Sequence, residues 1–302
     1  MRPVRIAFFT AGTTGAGHVV RGLAIERALQ RAGAHHDYAL FAPRVPLRLP
    51  ARDCIRTVTI DHRELVGRAR AAESELAQAL REYAPDVLVV DLFWAPLRNI
   101  LPLPACEAWL LVRSVPHEWF IGPPGHPYER SLFDRVIAIE PGAGLGHEHE
   151  TIDPIVIANP DEMRPKGALR AALGLREGER LSVLSQVGKP GELAKLADLR
   201  EPQHAFTFPG ADGELPNDLP TGVRVHDGTA FFPLAEWLDD ADAIVSGAGY
   251  NAFWESHWLG YADRARFVPF ARTIDDTTWR MRTCTGHVPR ANGADEIARR
   301  LR

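Results

Sequence analysis

The sequence predicts an α/β protein built from two doubly wound, parallel sheets. Three observations carry that expectation. Short apolar runs of strand character alternate with helical stretches along the whole chain, the pattern of parallel sheets covered by helices. The alternation breaks once, around 155–166, and then begins again. A glycine-bearing turn links a strand to a helix in each half. At roughly 150 residues per domain, the 302 residues suffice for two modest units, each able to bury its own core.

In the first half, Val4 to Thr10 is an apolar run rich in β-branched and aromatic residues, and the segment Ala11-Gly12-Thr13-Thr14-Gly15-Ala16-Gly17 ends it. From His18 to Ala32, Val19, Leu23, Ile25, Ala28 and Leu29 recur at helical spacing before Gly33 supplies a stop. Strands are expected at 38–42, 55–60, 87–90, 109–112 and 136–139, with one helix over 64–83. Ile121 to Pro127, rich in proline and glycine, reads as a loop. The break near Asn159-Pro160 divides the chain into an N-terminal unit, 1–158, and a C-terminal unit, 159–302. In the second half, strands are expected at 181–187, 205–208, 223–225, 243–246 and 267–269, with helices at 192–199, 234–239 and 251–259. Each half reads as a Rossmann-like unit.

Composition narrows the function classes. An apolar share of 45% and a charged share of 25% are globular averages, which argues against disorder or a fibrous repeat. No apolar run approaches the roughly 18 residues of a membrane span, and the start runs into a strand without a signal sequence, so a cytoplasmic address is expected. Cys54, Cys106 and Cys284 are scattered and lack CxxC spacing, which disfavours a disulfide framework or a zinc site. A formal charge of -4 supplies no basic field for nucleic acid.

In a parallel sheet, ligands bind beyond the carboxyl ends of the strands. Two turns there stand out: Gly12 to His18, and Ser246-Gly247-Ala248-Gly249-Tyr250-Asn251. Glycines let a backbone approach a ligand, and the helix that follows offers unpaired N-H groups to an anion. Neither turn has the GxGxxG or GxxxxGK[ST] spacing, so nicotinamide enzymes and P-loop nucleotidases lose ground. Helix capping by His18, and satisfaction of loop amides by Asp91, are the structural alternatives.

Taken together, the two turns resemble GT-B glycosyltransferases of the MurG type (glycosyltransferase family 28-like) and related bacterial predicted glycosyltransferases. Gly15-Ala16-Gly17-His18 with Arg21 and Leu23-Ala24 is similar to the family's acceptor-side loop and helix, and Ala241 to Glu255 to its donor-side signature. The resemblance implies GT-B architecture, with an acceptor-side and a donor-side Rossmann-like domain facing a cleft. It implies an inverting, metal-independent transfer of a sugar from a nucleoside-diphosphate sugar, a UDP-sugar by preference, to an acceptor hydroxyl. His18 would be the base and Asp91 the carboxylate that orients it. Gly15, Gly17, Ser185, Gly188, Ser246, Gly247, Gly249, Tyr250 and Asn251 would line the donor, Glu255 would accept from the ribose hydroxyls, and Phe232 would meet the base. Asp275 and Asp276 would hold the donor sugar, although Thr277 stands where the family has glutamine, and 260–267 departs from the family's short turn. The nucleotide sugar would be a co-substrate, with no further cofactor. Two other readings stay open on the same fold: a nucleotide-sugar 2-epimerase, and a non-catalytic nucleotide-sugar-binding partner protein.

Other chemistry-bearing residues are weaker. Asp240-Ala241-Asp242 matches the DxD metal motif but precedes a strand, where helix-exit polarity explains it. His147-Glu148-His149-Glu150 lacks the helical spacing of a zinc site. Arg113, His117 and Glu118 fall where an acceptor would lie. The acceptor itself is open, and peripheral membrane contact finds no basic, apolar patch in the sequence to support it.

Overall fold

The alternating runs fold into two sheets in which every strand pairing is parallel. The computed structural model describes residues 2–12, 17–44, 53–61, 67–116, 118–122, 127–143, 146–185, 189, 191–200, 203–209 and 219–302. The first sheet comprises β1 (Val4–Phe9), β2 (His36–Ala42), β3 (Ile55–Thr57), β4 (Val87–Asp91), β5 (Glu107–Val112), β6 (Arg135–Ala138) and β7 (Glu150–Thr151). Its order is β3-β2-β1-β4-β5-β6-β7. The second comprises β8 (Leu181–Ser185), β9 (His204–Thr207), β10 (Val223–Val225), β11 (Ala243–Gly247) and β12 (Ala265–Val268), in the order β10-β9-β8-β11-β12. Strand order therefore reverses between β1 and β4 in one sheet and between β8 and β11 in the other. Those reversals open the crevices in which doubly wound proteins bind ligands.

β1 shows why both faces are covered. Ile6 and Phe8 enter one core cluster, and Ala7 and Phe9 enter another on the opposite face. Continuous burial of successive residues is the mark of a parallel strand sandwiched by helices. Helix α1 (Gly17–Arg31) packs on the first face. A Cβ on Gly22 would come within 2.5 Å of Leu40 and 2.8 Å of Phe8, so the missing side chain lets α1 lie close against β1 and β2. Tyr38 donates to the Gly22 carbonyl at 2.7 Å and pins the approach.

The single helix expected over 64–83 is instead two, α2 (Arg68–Glu73) and α3 (Glu75–Tyr83). Ser74, at extended φ/ψ, accepts from the Ala77 N-H and caps the second helix, a local hydrogen bond that competes with helix continuation. Five more helices of the first and second units are α4 (Glu118–Ile121), α5 (Ala168–Ala172), α6 (Glu192–Ala197), α7 (Tyr250–Trp258) and α8 (Thr277–Cys284). The stretch expected as a helix at 234–239 is a 3₁₀ helix, Leu234–Asp240. The departure at 260–267 is a 3₁₀ turn, Ala262–Arg264, feeding directly into β12.

The last helix, α9 (Gly293–Arg300), leaves the second unit and packs on α1. Ala294, Ile297, Ala298 and Leu301 join the core that contains Ile6, Phe8 and Leu23. A Cβ on Gly293 would lie 2.1 Å from the Asp153 carbonyl oxygen, so glycine is needed where α9 crosses the connecting segment. Asn292 caps α9 through the Ala294 N-H and also bonds Val156 and Asn159. The chain thus crosses between the two sheets twice. No helix among the described residues is long and apolar enough to cross a membrane.

Candidate active site at the junction of the two sheets

β1 and β4 flank the reversal point of the first sheet, and their carboxyl ends deliver the first group of polar side chains. Asp91 is the last residue of β4 and is buried. His18 is the second residue of α1, and its ring lies against Asp91 at the end of β4 and against Phe93. Gly12 makes room for that ring: a Cβ there would lie 2.7 Å from His18 Cδ2. The glycine therefore serves the histidine itself. Phe93 covers the imidazole edge-on at 4.8 Å, and Trp119 covers Phe93 at 5.5 Å.

His18 Nδ1 lies 2.8 Å from Asp91 Oδ2. Arg21, one turn along α1, donates to the same oxygen from Nε at 3.1 Å and from Nη2 at 2.8 Å. Burial pushes the His18 pKa down to about 4; Asp91 opposes this, and Arg21 and Arg113 add to it. The ring is neutral at physiological pH, as a base must be. Burial also opposes the Asp91 charge, yet Arg21 and His18 outweigh it and hold the carboxyl down to about 2.

The second group comes from the turn after β11. Gly249 caps α7 without a side-chain hydrogen bond, and a Cβ on it would meet nothing within 4 Å. Such a helix start offers N-H groups and a positive dipole end to an anion. Asn251 points across the junction. Its Nδ2 donates to the Gly17 carbonyl at 3.1 Å, and its Oδ1 accepts from Arg21 at 3.3 Å. The start of α7 and the start of α1 are therefore in direct contact. Glu255 sits four residues after Asn251, on the same helical face. It is half-buried, and no hydrogen bond or ion pair holds its carboxyl among the described residues. Burial alone pushes its pKa up to about 8.

Other expected donor contacts are occupied by the protein itself. Tyr250 is buried, donates to the Ile139 carbonyl at 2.8 Å and accepts from the Ile155 N-H at 2.9 Å. Its ring lies under the Arg21 guanidinium at 4.8 Å, so it ties α7 to the first unit. Ser246 is buried and donates to the Ser185 carbonyl at 2.7 Å, across the β8/β11 reversal. Gly247 packs on Phe270, 3.2 Å from where a Cβ would be. Phe232 is half-buried against the large core cluster. Asp276 caps α8 through the Trp279 N-H at 2.8 Å. Gly17 adjoins Asn251 and Arg21; Gly15 and Gly188 lie outside the described residues.

Asp275 belongs to a buried ion cluster. It pairs with Arg113, which follows β5, and with Arg280 Nη2 of α8 at 2.6 Å. Arg280 in turn pairs with Glu140, just after β6, while Glu140 also accepts from Trp254 Nε1 at 3.0 Å and from the Ser114 N-H at 3.0 Å. Burial opposes the Asp275 charge, but Arg113 and Arg280 overcome it and lower its pKa. Asp91, Glu140 and Asp275 thus face Arg21, Arg113 and Arg280, a balanced set lining the junction. Nothing in the sequence marks Glu140 or Arg280 as a site residue, whereas Arg21 falls in the acceptor-side stretch with His18. Only Arg21 leaves a local signal, its i,i+3 spacing from His18 on one helix face. Asp240 and Asp242 are likewise engaged: Asp240 accepts from the Gly167 and Leu169 N-H groups, and Asp242 from the Leu181 N-H and Arg170.

No family model and no curated protein matches the chain. Solved structures do, and their fold is GT-B. MurG of Acinetobacter baumannii aligns at a TM-score of 0.51 and 16% identity, covering 93% of this chain and 83% of that one. The spinosyn rhamnosyltransferase SpnG aligns at 0.54 and 15%, covering 99% and 94%. The glycosyltransferase SnogD from Streptomyces nogalater aligns at 0.52 and 17%, covering 99% of each. The chain has the GT-B architecture these proteins share.

Proposed function

We propose that this protein is a glycosyltransferase that moves a sugar from a nucleoside-diphosphate sugar, with UDP-sugars the preferred donors, to an acceptor hydroxyl with inversion. The observation that carries the reading is the meeting of the two turns. A neutral imidazole, held at 2.8 Å by a buried carboxylate, touches through Arg21 and Asn251 the uncapped start of the helix that follows β11. The proposed base and the proposed anion site thus stand side by side at the junction, and the architecture is that of the glycosyltransferases named above.

In this mechanism the N-H groups at the start of α7, with its dipole, hold the diphosphate and stabilise it as it leaves. Those groups need no cation to do so, which makes the transfer metal-independent. Glu255 accepts from the ribose hydroxyls; a carboxyl without a partner among the described residues gains one from the ligand. His18 takes the proton of the acceptor hydroxyl as that oxygen attacks the anomeric carbon. Asp91 stabilises the imidazolium that forms. Its charge is secured beforehand by Arg21, so the dyad does not reorganise during the step. A single displacement with one base inverts the anomeric centre. The donor unit extends from about residue 159 to α8, and α9 returns to the acceptor unit.

A second reading has its own observation. Asp275 and Asp276, the expected grip on the donor sugar, are engaged by Arg113, Arg280 and the α8 cap, which suits a protein that binds the nucleotide without transferring the sugar. One experiment separates the two. Thermal shifts with UDP, TDP, GDP and ADP identify the base that stabilises the fold by linkage. Release of that diphosphate from its sugars is then followed against an acceptor panel. Loss of release in His18→Ala with the thermal shift retained supports transfer; a wild-type protein that binds but releases nothing across the panel supports the binding role. Product formed without an acceptor, as a nucleotide sugar of altered configuration, would instead identify a 2-epimerase.

A further inference from the structure

Nδ1 of His18 has two neighbours that make incompatible demands. Asp91 Oδ2 lies at 2.8 Å and Arg21 Nη2 at 2.7 Å. A carboxylate only accepts and a guanidinium only donates. If Nδ1 carries the proton it donates to Asp91, and Nε2 keeps the lone pair that an acceptor hydroxyl needs. If Nδ1 is bare it accepts from Arg21, the neutral ring must carry its proton on Nε2, and the base is disabled.

The arrangement around Arg21 is held away from its strongest geometry. Arg21 Nε, Arg21 Nη2 and His18 all converge on Asp91 Oδ2, while Asp91 Oδ1 is buried without a partner among the described residues. Guanidinium and carboxylate pair best as a two-pronged fork using both oxygens. Arg21 is instead drawn toward the second sheet, by the Asn251 Oδ1 acceptor at 3.3 Å and by the Tyr250 ring at 4.8 Å. Asn251 is in turn oriented by its bond to the Gly17 carbonyl at 3.1 Å.

We propose that Arg21 is a positioning residue that decides which nitrogen of His18 is protonated, and that Asn251, at the start of α7, fixes its Nη1 arm so that Nη2 stays shared between Asp91 Oδ2 and Nδ1 instead of being given over to Nδ1. The donor-side helix thereby arms the base on the acceptor side, and a displaced α7 leaves it unarmed. The functional meaning rests on His18 being the base. The charged groups facing His18 are Asp91 from β4, Arg21 from α1 and Arg113 after β5. Burial, reinforced by the two arginines, keeps the ring neutral, so at neutral pH its tautomer is the variable.

The test is long-range 1H-15N correlation of the histidine rings in the full 15N-labelled chain at pH 7, with His18 assigned by its loss in His18→Gln. The wild-type protein is expected to show His18 protonated at Nδ1 with Nε2 bare. Asn251→Ala is expected to move the Nε2 resonance toward the protonated position, and saturating UDP is expected to leave the wild-type pattern at Nδ1–H. Arg21→Lys, which keeps the charge but lacks the fork, is expected to lower kcat at least tenfold with the donor KM within twofold. The same tautomer in the wild-type protein and in Asn251→Ala overturns the proposal, as does Nε2–H in the UDP-saturated wild-type protein. Should Arg21→Lys fail to fold, the Asn251→Ala comparison decides alone. Turnover surviving in His18→Ala would defeat the reading of His18 as base while leaving the tautomer result standing, so the two failures are distinguishable.

Discussion

The two turns are built from similar sequence and are left in opposite states. At the start of α1 every charge is met: His18 rests on Asp91, Asp91 on Arg21, and Arg21 on Asn251. At the start of α7 Gly249 has open space where a side chain would be, the helix has no side-chain cap, and Glu255 has no partner among the described residues. A base must be oriented before the substrate arrives, because orientation gained beforehand is what lowers the barrier. A site that grips an anion and a ribose must instead keep its hydrogen-bonding capacity free. The contrast teaches which side the protein completes by itself and which side it leaves to a ligand.

The sharpest way to break that contrast is on the completed side. His18→Ala is expected to lower turnover by about 10²–10⁴-fold, the usual worth of a general base, with diphosphate affinity retained, measured by steady-state kinetics and calorimetry. Arg280→Met strips the buried partner from Glu140 and Asp275. Removing one member of such a pair costs about 3–5 kcal/mol, which denaturant unfolding would register as a large fall in midpoint.

The open side answers differently. Glu255→Gln is expected to weaken UDP binding by about threefold to tenfold, in keeping with about 0.5–1.5 kcal/mol for an ordinary hydrogen bond, without loss of stability. A glycine pair makes the same point. Gly12→Ala drives a Cβ into His18 Cδ2 at 2.7 Å, whereas Gly249→Ala meets no protein atom. Gly12→Ala should cost stability and turnover together. Gly249→Ala should leave the unfolding midpoint nearly unchanged and weaken only the diphosphate.

The two sides also differ in the sign of their pH dependence. The His18 pKa is lowered to about 4 from roughly 6.5 in an unfolded chain, so between those values the unfolded state binds more protons and stability falls as pH falls. The Glu255 pKa is raised to about 8 from roughly 4.3, so there the folded state holds the extra proton and stability falls as pH rises through that window. The two slopes oppose each other where the windows overlap, so urea unfolding across pH 4–9 should show stability falling above about pH 6.5, and Glu255→Gln should abolish that fall and uncover the acid limb of His18.

Much of this was legible in the sequence, for reasons that are local. Strand runs, the break near 159 and the two strand-to-helix turns are patterns within a few residues, and His18 and Asp91 each end or follow a strand that the apolar periodicity reveals. What escaped was non-local. Glu140 and Arg280 are 140 residues apart and carry no mutual signature. Tyr250, expected to face the donor, bonds Ile139 and Ile155 instead, because only the folded chain brings α7 against the first sheet. Asp276 was legible in a different sense: an acidic residue three before Trp279 is an N-cap pattern, and the capping bond is what formed. The return of α9 to α1 depends on packing of one amphipathic face and on Gly293, neither of which points to its partner.

Where a nucleoside diphosphate sits decides the mechanism, and a crystal structure with the most stabilising diphosphate bound tests it most directly. The expected result has the diphosphate on the N-H groups of residues 249–252, the ribose hydroxyls on Glu255, and His18 facing the terminal phosphate across the crevice with its bond to Asp91 intact. A diphosphate seated elsewhere, with Glu255 still unpartnered and α7 untouched, would contradict it.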